Sequence, residues 1–360
     1  MKYDYSNRHI LADLILDGKI PVPFQLRIEL TNYCNLRCRF CPTGHPDLQR
    51  KFGVQKGQMS KETFVHLVHD LTMLPEKIKV IHWYLYGEPL LHPRLIPSMK
   101  IVVQKDVAER HFLKTNGLLL THQVSDALIA TGITDIGISV EGVTDRHYLD
   151  LCDVSMDYRK LVDEVAYLFM MRKQCRIHVK LIDISYTKEE HQKFLDDFAP
   201  ISSSIDIESP MGWNRTKEFD FRLGDRSSES FDHVPLQKRT VCPYAFYTMM
   251  INWDGRATCC CTDWTCATEV GDINQTSLLD IWNGQRMRNF RLMHLEGRRN
   301  ENPACGDCHF IECAPHQDDL DDRASAIRTA LLIPEPVSRW KGFSPVKMDK
   351  RLTQCQSTAQ

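Results

Sequence analysis

From residue 25 to about 210, short runs of alternating apolar and polar residues take turns with longer stretches whose apolar residues recur every three or four positions. The short runs predict strands at 25–30, 79–85, 111–115, 135–140, 176–182 and 204–208. Between them, Phe64, Leu67, Val68 and Leu71 lie at helical spacing behind Ser60, an N-cap residue, and the pattern stops before Pro75. Further helical patterns run over 94–105, 122–131, 157–174 and 187–198. Strands separated by helices of this length predict a parallel sheet with helices outside it.

The strand faces sharpen that expectation. In 176–182, Ile177, Val179 and Leu181 oppose Arg176, His178 and Lys180. Leu26, Ile28 and Leu30 oppose Gln25, Arg27 and Glu29; Ile136, Ile138 and Val140 oppose Gly137, Ser139 and Glu141; Ile205 and Ile207 oppose Ser204, Asp206 and Glu208. Six βα units are too few for a closed eight-fold barrel, whose interior is normally apolar. The expected fold is α/β, a partial (β/α)6 TIM-like barrel around a wet, charged cavity. An antiparallel sheet with one solvated face is the competing reading, weakened by the intervening helices.

Outside this stretch the pattern changes. Residues 1–24 carry a short amphipathic segment (Ile10, Leu11, Leu14, Ile15) ended by Gly18 and Pro21-Val-Pro23. Residues 211–240 are polar and punctuated and predict a linker or substrate loop. A small cysteine-rich unit follows at 241–315, and a C-terminal tail at 316–360 opens on an acidic stretch. The unit at 25–210 is thus the barrel. Lys+Arg 45 against Asp+Glu 47 gives no electrostatic case for nucleic acid or an anionic membrane surface. The polar N-terminus lacks the apolar core of a signal peptide, and no apolar run is long enough to span a bilayer. A cytoplasmic protein with neither nucleic-acid nor membrane partner is expected.

Fourteen cysteines are many for such a protein. A reducing compartment disfavours a disulfide framework and favours metal binding or catalysis. Three fall at 34–41, five at 242–266 and three at 305–313, while Cys152, Cys175 and Cys355 lie alone. Cys34, Cys38 and Cys41 directly follow the first strand. A cubane iron–sulfur cluster usually takes four cysteines, so three leave one iron an open coordination position, as catalytic metals require. A zinc site completed by His45 is the other reading of the same thiols.

The Cys34-x3-Cys38-x2-Cys41 spacing, with Phe40 before the last cysteine, resembles the signature of radical S-adenosylmethionine (SAM) enzymes. That resemblance implies a [4Fe–4S] cluster on the three thiolates, with SAM on the open iron, cleaved by one electron to a 5′-deoxyadenosyl radical that abstracts hydrogen from substrate. Tyr86-Gly87-Glu88-Pro89, closing the second strand, is similar to the family's segment whose backbone carbonyls meet the SAM amino group. Lys114-Thr115-Asn116-Gly117 matches a common family pattern after the third strand; a plain turn explains it equally well. By the same resemblance Ser139 is placed to contact SAM ribose or carboxylate, and Glu141 shares its face. Phe40, Tyr86, Gly87, Glu88, Pro89, Asn116, Ser139 and Glu141 are therefore the candidate cofactor-binding residues. His178, Lys180 and Glu208 are the catalytic candidates, chosen by strand face alone, with Asp206 beside them.

Cys242-x12-Gly255-x4-Cys260 and then Cys305-x2-Cys308-x4-Cys313 enclose a β-hairpin pattern with an Asp254-Gly255 turn. Val270–Ile273 predicts a turn and Ser277–Asn283 a helix. The passage resembles the auxiliary-cluster domain of radical SAM enzymes, SPASM or its reduced form, twitch. Carried over, Cys242, Cys260, Cys305 and Cys308 bind one auxiliary [4Fe–4S] cluster. Cys313 stays in the candidate metal set, but its spacing is four residues rather than five, and Gln317 stands where a further cysteine is expected, leaving a second cluster in doubt. Cys259 and Cys261 flank Cys260, so the register is open by one, and a zinc ribbon is the alternative use of these thiols. The resemblance implies an oxidoreductase- or lyase-type enzyme with an electron donor such as flavodoxin or ferredoxin. Peptide-modifying relatives often carry an N-terminal recognition domain, for which residues 1–24 are too few. A small polar substrate (a sugar, nucleotide sugar or aminocyclitol) is therefore expected, with Arg215 and Lys217 as phosphate-holding candidates. A peptide maturase and a non-catalytic, metal-stabilised binding scaffold are the alternatives.

Overall fold

The computed structural model describes residues 11–209, 212–214, 219–221, 223, 229–230 and 234–332. Its six barrel strands are β1 (Gln25–Ile28), β2 (Ile78–His82), β3 (Ala108–Thr115), β4 (Asp135–Val140), β5 (Arg176–Ile182) and β6 (Ser204–Glu208). Each pairs in parallel with the next, which removes the antiparallel alternative. Three more follow: β7 (Thr248–Ile251), β8 (Arg256–Thr258) and β9 (Glu269–Asp272). β7 pairs in parallel with β1, and β8 runs antiparallel to both β7 and β9. One nine-stranded sheet in the order β6-β5-β4-β3-β2-β1-β7-β8-β9 results. The cysteine-rich unit therefore extends the barrel sheet through β1.

The helices form where the apolar spacing places them. Lys61–Thr72 begins at Ser60, whose hydroxyl accepts from Thr63 N at 3.0 Å, and buries Phe64, Leu67 and Leu71. Thr187 and Glu190 form a capping box at the start of Lys188–Phe198. Helices Leu95–Gln104, His122–Ile129 and Tyr158–Met171 fill the other crossovers. Among the helices the sequence reading missed is Asp145–Cys152, whose exposed polar residues obscure a face buried only at Tyr148 and Cys152. It also read 270–273 as a turn. Residues 270–272 lie in β9, where Gly271 pairs with Ala257 and a Cβ would run into Ile281.

The apolar strand faces and the inner helix faces form one core, with Leu26, Ile28, Ile136, Ile138, Ile177, Val179 and Leu181 nearly without exposure. A second apolar cluster joins Leu11 and Ala12 of the N-terminal helix to Val241, Ala245, Phe246, Leu295 and Ile327. The tail thus docks as far as helix Ala324–Leu332. Asp321 fixes the start of the cysteine-rich unit by accepting from Thr240 N and Val241 N, both at 2.9 Å. Among the described residues no helix is long and apolar enough to cross a membrane.

The inner strand faces are polar at two heights. At the lower one, Asp135 has no exposure and accepts from Arg110, Arg176 and His178. Burial would raise its carboxyl, but His178, Arg110 and Thr134 outweigh burial and hold it well below the usual range. This charged plug ties β3, β4 and β5 together. The upper height is the cavity.

Candidate active site

The cysteine loop leaves β1 through Glu29–Tyr33 and is pinned on both sides. Arg37 N and Arg39 N donate to Cys152 O and Leu151 O, each at 2.9 Å, so helix Asp145–Cys152 holds the loop's middle. The Cys152 thiol also lies 3.5 Å from Cys38 Sγ. Burial pushes the Cys34 thiol up to about 12 and raises Cys41; for Cys38 the contact with Cys152 leads and burial adds to it. His45 is turned elsewhere. Its Nε2 lies 2.9 Å from Arg39 O, and its ring packs against Phe219 and Phe221.

Gly87 comes so close to this loop that a Cβ would sit 2.4 Å from Thr31 O and 2.6 Å from Tyr33 O. Glu88 N donates to Tyr33 O at 2.8 Å, and Thr43 Oγ1 donates to Tyr86 O at 2.7 Å. The Glu88 side chain turns away from the loop. Its carboxylate accepts from Leu90 N (3.0 Å), Thr115 Oγ1 (2.7 Å) and Asn116 N (2.8 Å). Burial raises this carboxyl to about 7, against the pull of those donors. Glu88 is therefore the strut that fixes the Thr115–Gly117 turn, and Asn116 Nδ2 reaches on to Asn35 Oδ1 at 2.8 Å. Pro89 opens the short turn Pro89–Leu91 and stays off the cavity wall.

A cavity of about 560 Å³ occupies the barrel interior. Cys34, Cys38, Cys41, Phe40, Tyr86, Gly87, Glu88 and Asn116 line one side; Ser139, Glu141, Lys180, Asp206 and Glu208 line another. The expected polar chamber is thus present, and it gathers most of the residues singled out from the sequence. Lys180 Nζ donates to Glu208 at 2.6 Å. Burial would raise Glu208, but Lys180 and Lys114 outweigh it and hold the carboxyl at about 2. Glu141 is different: its amide and carbonyl are fixed by Tyr148 and Tyr186, while Oε2 is buried without a partner. Burial raises its carboxyl, opposed by Lys180 and Lys114. His178 departs from its expected role. It does not reach the cavity but lies in the plug, 2.9 Å from Asp135 Oδ1 and 2.7 Å from Ser204 Oγ.

The distal cysteines gather below β7–β9. Burial raises Cys242, Cys260, Cys305 and Cys308, and neighbouring thiols of the group add to the shift. Cys313 is raised by burial and then by Cys308. Of the three consecutive cysteines, Cys259 is spent in the core, its sulfur 3.6 Å from Met287 Sδ. Cys260 points into the thiol group, and Cys261 lines the central cavity. Buried Asp263 shapes this loop by accepting from Asn214, Thr265 and Thr268 N. Tyr86 Oη donates to Cys260 O at 3.3 Å, joining the glycine segment of β2 to the distal loop.

Comparison with known proteins agrees with this arrangement. The sequence model of the radical SAM superfamily matches residues 28–195, and that of the SPASM iron–sulfur cluster-binding domain matches 242–309. The chain carries a radical SAM domain followed by a SPASM domain. Among relatives of this radical SAM protein is the tungsten-containing aldehyde ferredoxin oxidoreductase cofactor-modifying protein of Pyrococcus furiosus, 23% identical, the match covering 79% of this chain and 86% of that one. Another is the S-adenosyl-L-methionine-dependent 2-deoxy-scyllo-inosamine dehydrogenase of Niallia circulans, 21% identical over 79% of this chain and 92% of the relative. In fold it is similar to Streptococcus suis SuiB bound to S-adenosylmethionine, with a TM-score of 0.58, 13% identity, and coverage of 85% and 76%.

The two domains imply a [4Fe–4S] cluster with SAM in the barrel and auxiliary iron–sulfur in the SPASM domain. The radical SAM barrel fits that cofactor set. Three thiols of one short loop line the cavity, a glycine stands where any side chain would fill the approach to that loop, and Glu141 Oε2 awaits a partner. Sequence reasoning missed Glu29, which is buried and accepts from Tyr86 N and Trp253 N. It also missed Trp213, whose Nε1 donates to Phe40 O at 3.0 Å. A carboxylate at a strand end was the one available signal for Glu29; Trp213 lies in a loop with no pattern. Arg215 and Lys217 lie outside the described residues.

Proposed function

We propose that this radical SAM enzyme abstracts hydrogen from a small polar substrate, of the sugar, nucleotide-sugar or aminocyclitol kind, held in the barrel cavity. The observation that carries this reading is the cavity wall. The cysteine loop and glycine segment stand on one side and ionised side chains of β5 and β6 on the other, within one chamber of about 560 Å³. Bound at Cys34, Cys38 and Cys41, the cluster with its SAM supplies the 5′-deoxyadenosyl radical. The chain's own residues do the rest. Gly87 leaves room for the cofactor against Thr31–Tyr33, Glu88 holds the Asn116 turn in place, and Ser139 and Glu141 offer hydrogen-bonding groups at the β4 end. The low carboxyl of Glu208 keeps it ionised, so it accepts hydrogen bonds from substrate hydroxyl or ammonium groups while Lys180 stays charged beside it. Lys180 and Glu208 are therefore binding groups first.

Cys242, Cys260, Cys305 and Cys308 are the proposed auxiliary-cluster ligands, with the cluster as electron acceptor or relay. A flavodoxin or ferredoxin is the proposed donor. The 2-deoxy-scyllo-inosamine dehydrogenase, matched over 79% of this chain and 92% of its own, supports this substrate class. Anaerobic reconstitution with iron and sulfide, then reductant and SAM, tests the activity. 5′-Deoxyadenosine is the expected product, and deuterium transfer into it from labelled cyclitols or sugars identifies the substrate. Absence of deoxyadenosine from protein of full iron content would sink the enzyme reading. Zinc without acid-labile sulfide would establish a scaffold instead.

A further inference from the structure

Beside the cofactor side and the Lys180–Glu208 pair, the cavity floor carries a further group of charged and aromatic side chains. Lys114, Tyr84 and Arg27 all line the cavity. Lys114 Nζ stands 5.3 Å from the centroid of the Tyr84 ring, and Arg27 Cζ stands 5.0 Å from the same centroid. Two cations thus share one ring. Lys180 is neutralised by Glu208, but among the described residues Lys114 meets the face of Tyr84 rather than a carboxylate. A ring face compensates an ammonium far less than an oxyanion does. The Lys114 ammonium is correspondingly strained: burial lowers it, Lys180 and Arg27 push the same way, and Tyr84 and Glu208 oppose them. Burial would raise the Tyr84 phenol, yet Arg27 and Lys114 outweigh it and bring it below its usual range, so the ring senses the same positive field.

Strand register sets the height of this group in the cavity. Lys114 pairs with Gly137 on β4, and Gly137 pairs with His178 on β5. At this level β4 projects no side chain, and the Phe112 ring fills the place a Cβ on Gly137 would take, 2.8 Å away. Lys114 therefore faces the cavity over a ring-packed floor, above the Asp135 plug and one register step below Ser139. Glu141 and Asp206 face the same chamber from β4 and β6, so any anion must seat on the Arg27–Tyr84–Lys114 side. The cofactor side of β3 begins beyond it, at Thr115 and Asn116, which are already committed to Glu88 and Asn35.

We infer that Lys114, with Arg27 across the Tyr84 ring, forms an oxyanion subsite that holds a phosphate or carboxylate group of the substrate at the cavity floor. This rests on the cavity being the substrate chamber, and it narrows the substrate to an anionic small molecule such as a sugar phosphate or sugar acid. The opposite end of that molecule, carrying hydroxyl or amino groups, then lies toward Glu141 and the cysteine loop.

The test uses full-length reconstituted protein saturated with SAM, with inorganic phosphate as probe and its 31P line width as readout. The wild type is expected to broaden the line saturably. Lys114→Gln and Lys114→Met are expected to weaken phosphate binding by about tenfold or more, the loss of one charge-assisted contact, while Lys114→Arg retains it within about threefold. Melting curves of all three verify folding. Displacement by acetate assigns a pocket open to carboxylates as well; failure of acetate to displace assigns phosphate. Undiminished phosphate binding in Lys114→Gln overturns the inference. So does a tenfold loss of SAM affinity in that variant, which would make Lys114 a contact of the cofactor's own carboxylate. Deoxyadenosine formation separates the two readings. A wild type that cleaves SAM but binds no phosphate refutes the subsite alone, and one that binds phosphate without cleaving SAM refutes the enzyme reading alone.

Discussion

Gly87→Ala is the most direct probe of how the barrel receives its cofactor. The added methyl would lie 2.4 Å from Thr31 O, 2.6 Å from Tyr33 O and 2.8 Å from Asn32 C, all backbone atoms. Ordinary contact needs about 1 Å more. That strand exit has little freedom to move. Asn32 Nδ2 donates to Gln55 O at 2.7 Å, Gly57 N donates to Asn32 Oδ1 at 2.8 Å, and Lys56 Nζ donates to Asn32 O at 2.9 Å. The glycine segment must give way instead, breaking the Glu88 N–Tyr33 O bond. Overpacking of about 3 kcal/mol plus about 1 kcal/mol for the lost bond gives about 4 kcal/mol. In a chain of this size that is a fall in Tm of about 5 °C. Scanning calorimetry of the apo protein reads the stability, and equilibrium SAM binding to the reconstituted protein reads the site. SAM affinity is expected to fall more than about tenfold while cluster iron is largely retained, since no thiol is touched. Gly53→Ala is the control: nothing lies within 4 Å of its Cβ, and its φ of +67° predicts a loss of only about 1 kcal/mol with SAM binding intact. If Gly87→Ala matched Gly53→Ala in both measurements, the close-approach argument would be wrong.

Asp135→Asn should destabilise the fold by about 3–5 kcal/mol in denaturant titration, because Arg110, Arg176 and His178 lose a fully buried carboxylate; a change below about 1 kcal/mol would show the plug to be ornamental. Glu29 and Glu88 are each raised by burial from 4.5 to about 7. A folded carboxyl that holds its proton more tightly than the unfolded one stabilises fully below pH 4.5 and loses that contribution as pH rises through about 7, about 3 kcal/mol per group. Apo-protein melting points should therefore fall between pH 5 and 8 at these groups' expense, and Glu88→Gln should flatten that slope; an unchanged slope would refute the assignment. Replacing Cys242 and Cys308 together by Ala should remove about half of the iron and acid-labile sulfide, as loss of one of two cubanes requires, yet leave deoxyadenosine formation measurable. Replacing Cys34, Cys38 and Cys41 should do the reverse, and retention of SAM cleavage there would exclude the triplet as the cluster site.

What could be read in the sequence was what is local or periodic. β1 to β6 carry their alternation in their own residues, so parallel strands and polar inner faces were visible without knowing their neighbours. The Ser60 cap was legible for the same reason, and the cysteine loop announced itself by spacing. The face assignment failed where height along a strand decides the environment. His178 and Lys180 share a face and differ by one pleat, yet the first is locked to Asp135 in the plug and the second lines the cavity. Lys114 was absorbed into a turn motif, because nothing in Lys-Thr-Asn-Gly tells that its ammonium lies over the Tyr84 ring, just past the end of β2. Helix Asp145–Cys152 was hidden by its own polarity, and its job, carrying the cysteine loop on Leu151 O and Cys152 O, is a contact across more than 110 residues.

The pairing of β7 with β1 explains why a second cysteine group belongs beside this cavity at all. An auxiliary domain tethered only by the 211–240 loop would have no fixed distance to the barrel interior. Here Leu26 pairs with Met249 and Ile28 with Ile251, and Glu29 N continues the ladder by donating to Ile251 O at 2.9 Å. One strand, β1, therefore runs straight into Cys34, and its neighbour, β7, returns through the Asn252–Gly255 turn into Cys260. Glu29 sits at the fork, accepting Tyr86 N from the glycine segment and Trp253 N from the distal hairpin with one carboxylate. Tyr86 closes the circuit through its hydroxyl on Cys260 O. Sheet hydrogen bonding is stiff where side-chain docking is not, so the two cysteine groups are set at a fixed separation by backbone register rather than by packing. Electron exchange between paired centres demands that constancy, and the shared sheet supplies it.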